Sequence, residues 1–71
     1  MKATVKYKNY EGKVRQLTIP VEKNEPNYII RTFIKEARFC GIIVNSMTYI
    51  TTVKCGRTVY EWYGIAKGAG V

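Results

Sequence analysis

The chain contains no histidine and no aspartate, and its five acidic residues are all glutamates. Those two absences remove most of the groups that proteins use for proton transfer and for metal binding. Cysteine is scarce as well. Cys40 and Cys55 cannot build a zinc site without histidine or further cysteines, so neither a metal nor a cofactor is expected. Long hydrophobic runs are missing: an unbroken stretch such as Gly41 to Val44 falls far short of a membrane span. The amino-terminal Met1-Lys2-Ala3-Thr4-Val5 has a basic residue but no apolar run behind it, unlike a signal peptide. The expectation is a cytoplasmic protein with reduced thiols that does not enter membranes. Ser46 has no histidine to activate it and the glutamates form no paired-carboxylate pattern, so no catalytic residue is assigned.

Positive charge is what the chain has in excess. Twelve Lys and Arg stand against the five Glu, a formal charge of +7 on 71 residues. Such a body attracts polyanions. The chain is short enough to be one domain, residues 1–71, with a thin core. Apolar residues make up 46% and aromatics 13%, which fits a folded protein rather than a disordered tail.

The order of elements reads ββαββ. The expected fold is α+β, an antiparallel sheet of about four strands with one helix packed on one face. In the first strand, Ala3, Val5 and Tyr7 alternate with Lys2, Thr4, Lys6 and Lys8; in the second, Leu17, Ile19 and Val21 alternate with Gln16, Thr18 and Pro20. Asn9-Tyr10-Glu11-Gly12-Lys13 suits a type I turn closed by a G1 bulge, with Gly12 at positive φ. That turn pairs Tyr7 with Arg15, Val5 with Leu17 and Ala3 with Ile19, gathering the apolar residues on one face. Pro20 marks a strand end or an edge.

A helix is expected from about Tyr28 to Cys40, started by Asn24 or Asn27 as cap with Pro26 in the first turn and stopped by Gly41. Ile30, Phe33, Ile34 and Ala37 form its apolar stripe, and Cys40 packs at its end as a small hydrophobe. Ile42-Ile43-Val44 either pairs locally through an Asn45-Ser46 turn or extends the third strand. A second hairpin spans Met47 to Gly64 with Cys55-Gly56 as a two-residue turn, which leaves Cys55 exposed. It pairs Tyr49 with Trp62, Thr51 with Tyr60 and Val53 with Thr58 on the face under the helix, and Lys54 with Arg57 beside the turn. Residues 64–71 read as a frayed tail.

Two groups of residues can carry binding. Lys2, Lys6 and Lys8 share one strand face, with Lys13, Arg15 and Tyr10 near the turn. Cations with short hydrogen-bonding neighbours are what a phosphate backbone requires, and an exposed ring can stack on a base. These six are the expected nucleic-acid-binding residues. Arg31, Lys35 and Arg38 form a basic stripe along the helix; with Lys54, Arg57 and Tyr63 they are the alternative set, for an acidic or nucleic-acid-binding protein surface. The leading expectation is a non-catalytic nucleic-acid-binding module. The alternative is a small protein-binding inhibitor or adaptor, with homodimerisation through a sheet edge as a related reading. In size and charge the chain is similar to the small accessory proteins of phages and other mobile elements, a likeness that no motif carries.

Overall fold

A computed structural model describes residues 1–44 and 48–65, at position 65 the backbone only. Its elements run β1 (Lys2–Lys8), β2 (Val14–Pro20), α1 (Pro26–Phe39), β3 (Tyr49–Cys55) and β4 (Thr58–Ile65). One antiparallel sheet holds all four strands in the order β2-β1-β3-β4, with α1 on one face. The first strand is therefore central, and the helix carries the chain from edge strand β2 over β1 to β3.

The first hairpin has the expected register. Ala3, Val5 and Tyr7 lie opposite Ile19, Leu17 and Arg15. Asn9 N–H donates to Lys13 O, Gly12 N–H donates to Asn9 O, and Gly12 sits at φ 79. Asn9 Oδ1 accepts from the N–H groups of Glu11 and Lys13, which satisfies the turn's backbone from within. Pro20 ends an edge strand, where its missing donor costs nothing.

The helix begins earlier than expected, at Pro26, and ends at Phe39. Neither Asn24 nor Asn27 caps it. Glu25 occupies the cap position in extended conformation with no side-chain cap bond, and Pro26 takes a first-turn position, where a missing N–H is harmless. Asn24 has other partners. Tyr60 OH donates to Asn24 Oδ1 at 2.8 Å, and Asn24 Nδ2 donates to Thr58 Oγ1 at 3.1 Å. The side chain thus ties the β2–α1 connection to β4. At the far end Gly41, at φ 79, donates to Arg38 O, and Ile42 donates to Ala37 O at 2.8 Å. This pair of bonds is a Schellman motif, with half-buried Ile42 packed on the core. Ile42–Val44 adopts no strand, and the Asn45-Ser46 turn falls outside the described residues.

The core joins Ala3, Val5 and Tyr7 of β1, Ile19 of β2 and Ile50, Val53 and Cys55 of β3 to Ile29, Ile30, Phe33, Ile34 and Ala37 of α1. Ile29 widens the expected stripe. Phe33 is its largest fully buried side chain, and its ring centre lies 5.1 Å from that of Tyr7.

The second hairpin departs from expectation in register. Its turn is Gly56-Arg57, one residue later, with Cys55 opposite Thr58, Val53 opposite Tyr60 and Thr52 opposite Glu61. Gly56 at φ 60 lies inside the turn, so Lys54 meets Val59 rather than another cation. Cys55 then falls opposite Ala3 on the helix side and is buried, not exposed. Cys40 is the exposed thiol: it follows the last helical residue, beyond the buried stripe that ends at Ala37. The strand β4 runs to Ile65, two residues into the segment expected as a tail, and positions 66–71 lie outside the described residues.

A break in alternation completes the hairpin. On β1 one step, Lys6 to Tyr7, spans two steps on β3, Thr52 to Ile50, and three on β4, Glu61 to Gly64. Thr51 is the extra residue on β3, and its Oγ1 donates to Lys6 O at 3.1 Å. The parity of β3 reverses there. Ile50 turns into the core and Tyr49 turns out, so the expected burial of Tyr49 is corrected.

Two measurements check this packing. Asn24→Ala and Tyr60→Phe should show a coupling of about 0.5–1 kcal/mol in a double-mutant cycle read from denaturant midpoints; additive effects would show that the tether contributes nothing. Under native conditions a thiol reagent should modify Cys40 at once and Cys55 only as the protein unfolds. Equal rates for both thiols would contradict the register of β3 with β1.

Candidate nucleic-acid interface

The face of the sheet away from the helix is open, and the registers give its layout in rows. Thr18, Thr4, Lys54 and Val59 form one row across the four strands. Gln16, Lys6, Thr52 and Glu61 form the next, and Val14, Lys8, Tyr49 and the Ile65 position the last. Lys2 stands opposite Pro20 at the other end. Each of these lysines is exposed.

Adjacent strands lie about 4.8 Å apart, and alternate residues along a strand are spaced by roughly 6.8 Å. Lys54, opposite Thr4, therefore fills the gap between Lys2 and Lys6. Four ammonium groups share this face with one carboxylate. Glu61 stands two strands from Lys6, roughly 10 Å away through Thr52. Among the described residues the ion pairs are Lys13–Glu11 at 4.0 Å and Lys23–Glu25 at 3.5 Å, and neither involves the open face. Thr4 and Thr18 share a hydrogen bond of 2.9 Å at its centre. The result is a shelf of cations interleaved with hydroxyl and amide groups.

Not every expected residue lies on this shelf. Lys2, Lys6 and Lys8 do. Lys13 stands at the hairpin turn beside Glu11, and Tyr10 is exposed at the tip of that turn. Arg15 lies opposite Tyr7, which places it with the helix-side residues. From the alternative set, Lys54 joins the lysines, Tyr63 is exposed on β4 on the same side by strand alternation, and Arg57 sits in the second turn. Arg31, Lys35 and Arg38 are exposed on the helix, in the other layer of the molecule. Lys35 there lines an open groove of about 440 Å³ with Glu22 and Glu36, whose carboxylates dilute its charge.

Tyr49 was not among the expected site residues. It is 37% exposed, directly opposite Lys8. Tyr63 is 60% exposed and shares the alternation of Val59 and Glu61. Tyr60 and Trp62 are half-buried against the core instead. The signal for Tyr49 was Ile50 and Val53 three apart in one strand: regular alternation cannot bury both, so a bulge had to turn one neighbour outward.

One titrating group in the core reports on the placement of Arg15. Burial raises the Tyr7 phenol above its ordinary value of 10.0, and the Arg15 guanidinium partly opposes the rise. A raised folded-state value means that the neutral phenol stabilises the fold below about pH 10, and that this contribution is lost as pH climbs through the raised value. Tyr7→Phe should therefore leave stability near neutrality little changed and make its decline above about pH 10 shallower, as read by denaturant titration at several pH values. An unchanged alkaline decline would show that Tyr7 does not ionise with unfolding.

Among the described residues no group of three or more acidic or thiol ligands could hold a metal ion, and no helix is long and apolar enough to cross a membrane. Comparison with protein-family models, with curated proteins and with solved structures finds no match, so the geometry of this open face stands as the guide to function.

Proposed function

We propose that the protein is a non-catalytic nucleic-acid-binding module that holds phosphates on the open face of its sheet. The observation that carries this reading is the grouping of Lys2, Lys6, Lys8 and Lys54 on one face with a single carboxylate, where neither of the ion pairs found among the described residues lies. Like charges held this close repel one another, and a polyanion relieves that repulsion while releasing its own counterions. Thr4, Thr18, Thr52 and Gln16 supply neutral hydrogen-bonding groups between the cations, as phosphate contacts require.

Phe39 favours a second reading, a protein-binding adaptor. It is 89% exposed at the end of the helix, next to Arg38 in sequence and four residues before Ile43, which is 56% exposed. An exposed ring beside an arginine is the composition of an interface anchor. The helix side would serve a protein partner, leaving the open face to nucleic acid.

Substitution separates the two faces. If four phosphates are engaged, log K should fall with log salt at a slope of roughly −3 to −4. Replacing Lys2, Lys6, Lys8 and Lys54 together by Gln should flatten that slope and abolish binding at moderate salt. Replacing Arg31, Lys35 and Arg38 by Gln should change it little. The converse outcome, with the helix variant losing binding and the sheet variant keeping it, would refute the assignment of the open face.

A further inference from the structure

The open face carries more than charge. Tyr49 is exposed there because of the irregularity around Thr51, and Tyr63, exposed on β4, falls on the same side by the alternation of Val59 and Glu61. Tyr63 has φ 46, the one positive value among the described non-glycine residues. A bulky residue in the left-handed region is strained and persists only where its surroundings over-determine it. Bulges also re-aim side chains. Here the irregularity turns Tyr49 out beside Lys8, and Tyr63 stands on β4 between the Glu61 and Ile65 positions, the latter opposite Tyr49. Two phenol rings thus share one end of the face, Tyr49 beside Lys8 and Tyr63 on the edge strand two places from β1.

Duplex nucleic acid makes poor use of that end. Its phosphates are accessible, but its bases present only edges. The outer strands of a four-stranded sheet lie about 14 Å apart, wider than the major groove of about 12 Å, which admits a two-stranded ribbon at most. An unpaired strand offers the complementary chemistry: base faces for the rings and a flexible phosphate backbone for the lysines. We propose that the open face selects single-stranded nucleic acid, with bases stacked on Tyr49 and Tyr63 and phosphates held by Lys6, Lys8 and Lys54. This deepens, and rests on, the reading of the open face as a phosphate-binding surface.

The test is fluorescence anisotropy at fixed, moderate salt with a labelled thymidine oligomer of about 12 nucleotides and a duplex of equal length, within the usual site size. The single strand should bind at least about tenfold more tightly than the duplex. Tyr49→Ala and Tyr63→Ala should each weaken single-strand binding by about 5- to 100-fold and leave duplex binding unchanged, while Tyr49→Phe keeps the affinity. Tyr63→Gly removes the ring but suits the positive φ, so its loss of single-strand affinity cannot be ascribed to misfolding. Equal affinity for both forms, insensitive to the tyrosine substitutions but steeply salt-dependent, would overturn the single-strand assignment and leave the lysine face standing. No binding of either form at low salt would overturn both.

Discussion

A four-stranded sheet with a helix on one side has a dry face and a wet face, and side-chain alternation decides which residue goes to each. That alternation holds along β1, β2 and β4 and reverses once, at Thr51 in β3. The reversal is the constraint on which the rest of the structure depends. Val53 and Cys55 face the helix on one side of it, and Ile50 does so on the other. With regular alternation, Tyr49 and Thr51 would enter the core and Ile50 would leave it. The space there is already filled by Tyr7, whose ring packs against Phe33, and Tyr7 lies opposite Ile50. A branched aliphatic side chain fits beside that pair, whereas a second tyrosine would have to bury its hydroxyl as well. Packing therefore favours the bulge, and the outward turn of Tyr49 follows from it.

The two hairpins differ in how fully their sequences specify them. In the first, the turn residues Asn9 to Gly12 and the positions of Val5, Leu17 and Ile19 demand the same register, so local and non-local preferences agree. In the second, Gly56 fits either of two adjacent turns, and the apolar positions Ile50 and Val53 obey no single period. Turn chemistry left two options, and the packing of Cys55 against the core with Ala3 selected between them. The cap residue was hidden for a related reason. Asn24 is a good helix starter by local rules, but its strongest partner is Tyr60, 36 residues away, and no local rule weighs such a contact. Gly64 shows the same dependence on context. It lies opposite Ile50, and a β-carbon there would stand 3.2 Å from Trp62 Nε1, so the position suits a residue without one.

For the candidate interface, period-two alternation was enough to place Lys2, Lys6 and Lys8 on one face. It could not show that Lys54 lies among them, because that depends on the strand order. Only with β1 between β2 and β3 does Lys54 come opposite Thr4. The same order explains why Arg15 is separated from the lysines. It is near them in sequence, but its position opposite Tyr7 assigns it to the helix side. Closeness along the chain and membership of a face are independent in a sheet, and the first is a poor guide to the second.

The cations among the described residues are thus divided between layers rather than gathered on one side, so net charge alone does not choose a binding surface. What distinguishes the open face is its low local compensation, one carboxylate for four ammonium groups. On the helix side Lys35 shares its groove with Glu22 and Glu36, and in the loop before the helix Lys23 is paired with Glu25 and lies over the Tyr28 ring. On the open face the nearest carboxylate to Lys6 in its own row is two strands away. Glu61 lies diagonally across from Lys54, about as far from it as Lys6 is, so with a screening length of about 8 Å it acts on Lys54 more than on Lys6, two strands away. The sheet thus holds four ammonium groups for one carboxylate, whereas Lys35 shares its groove with two, and that local excess is what supports the proposed anion site on the open face.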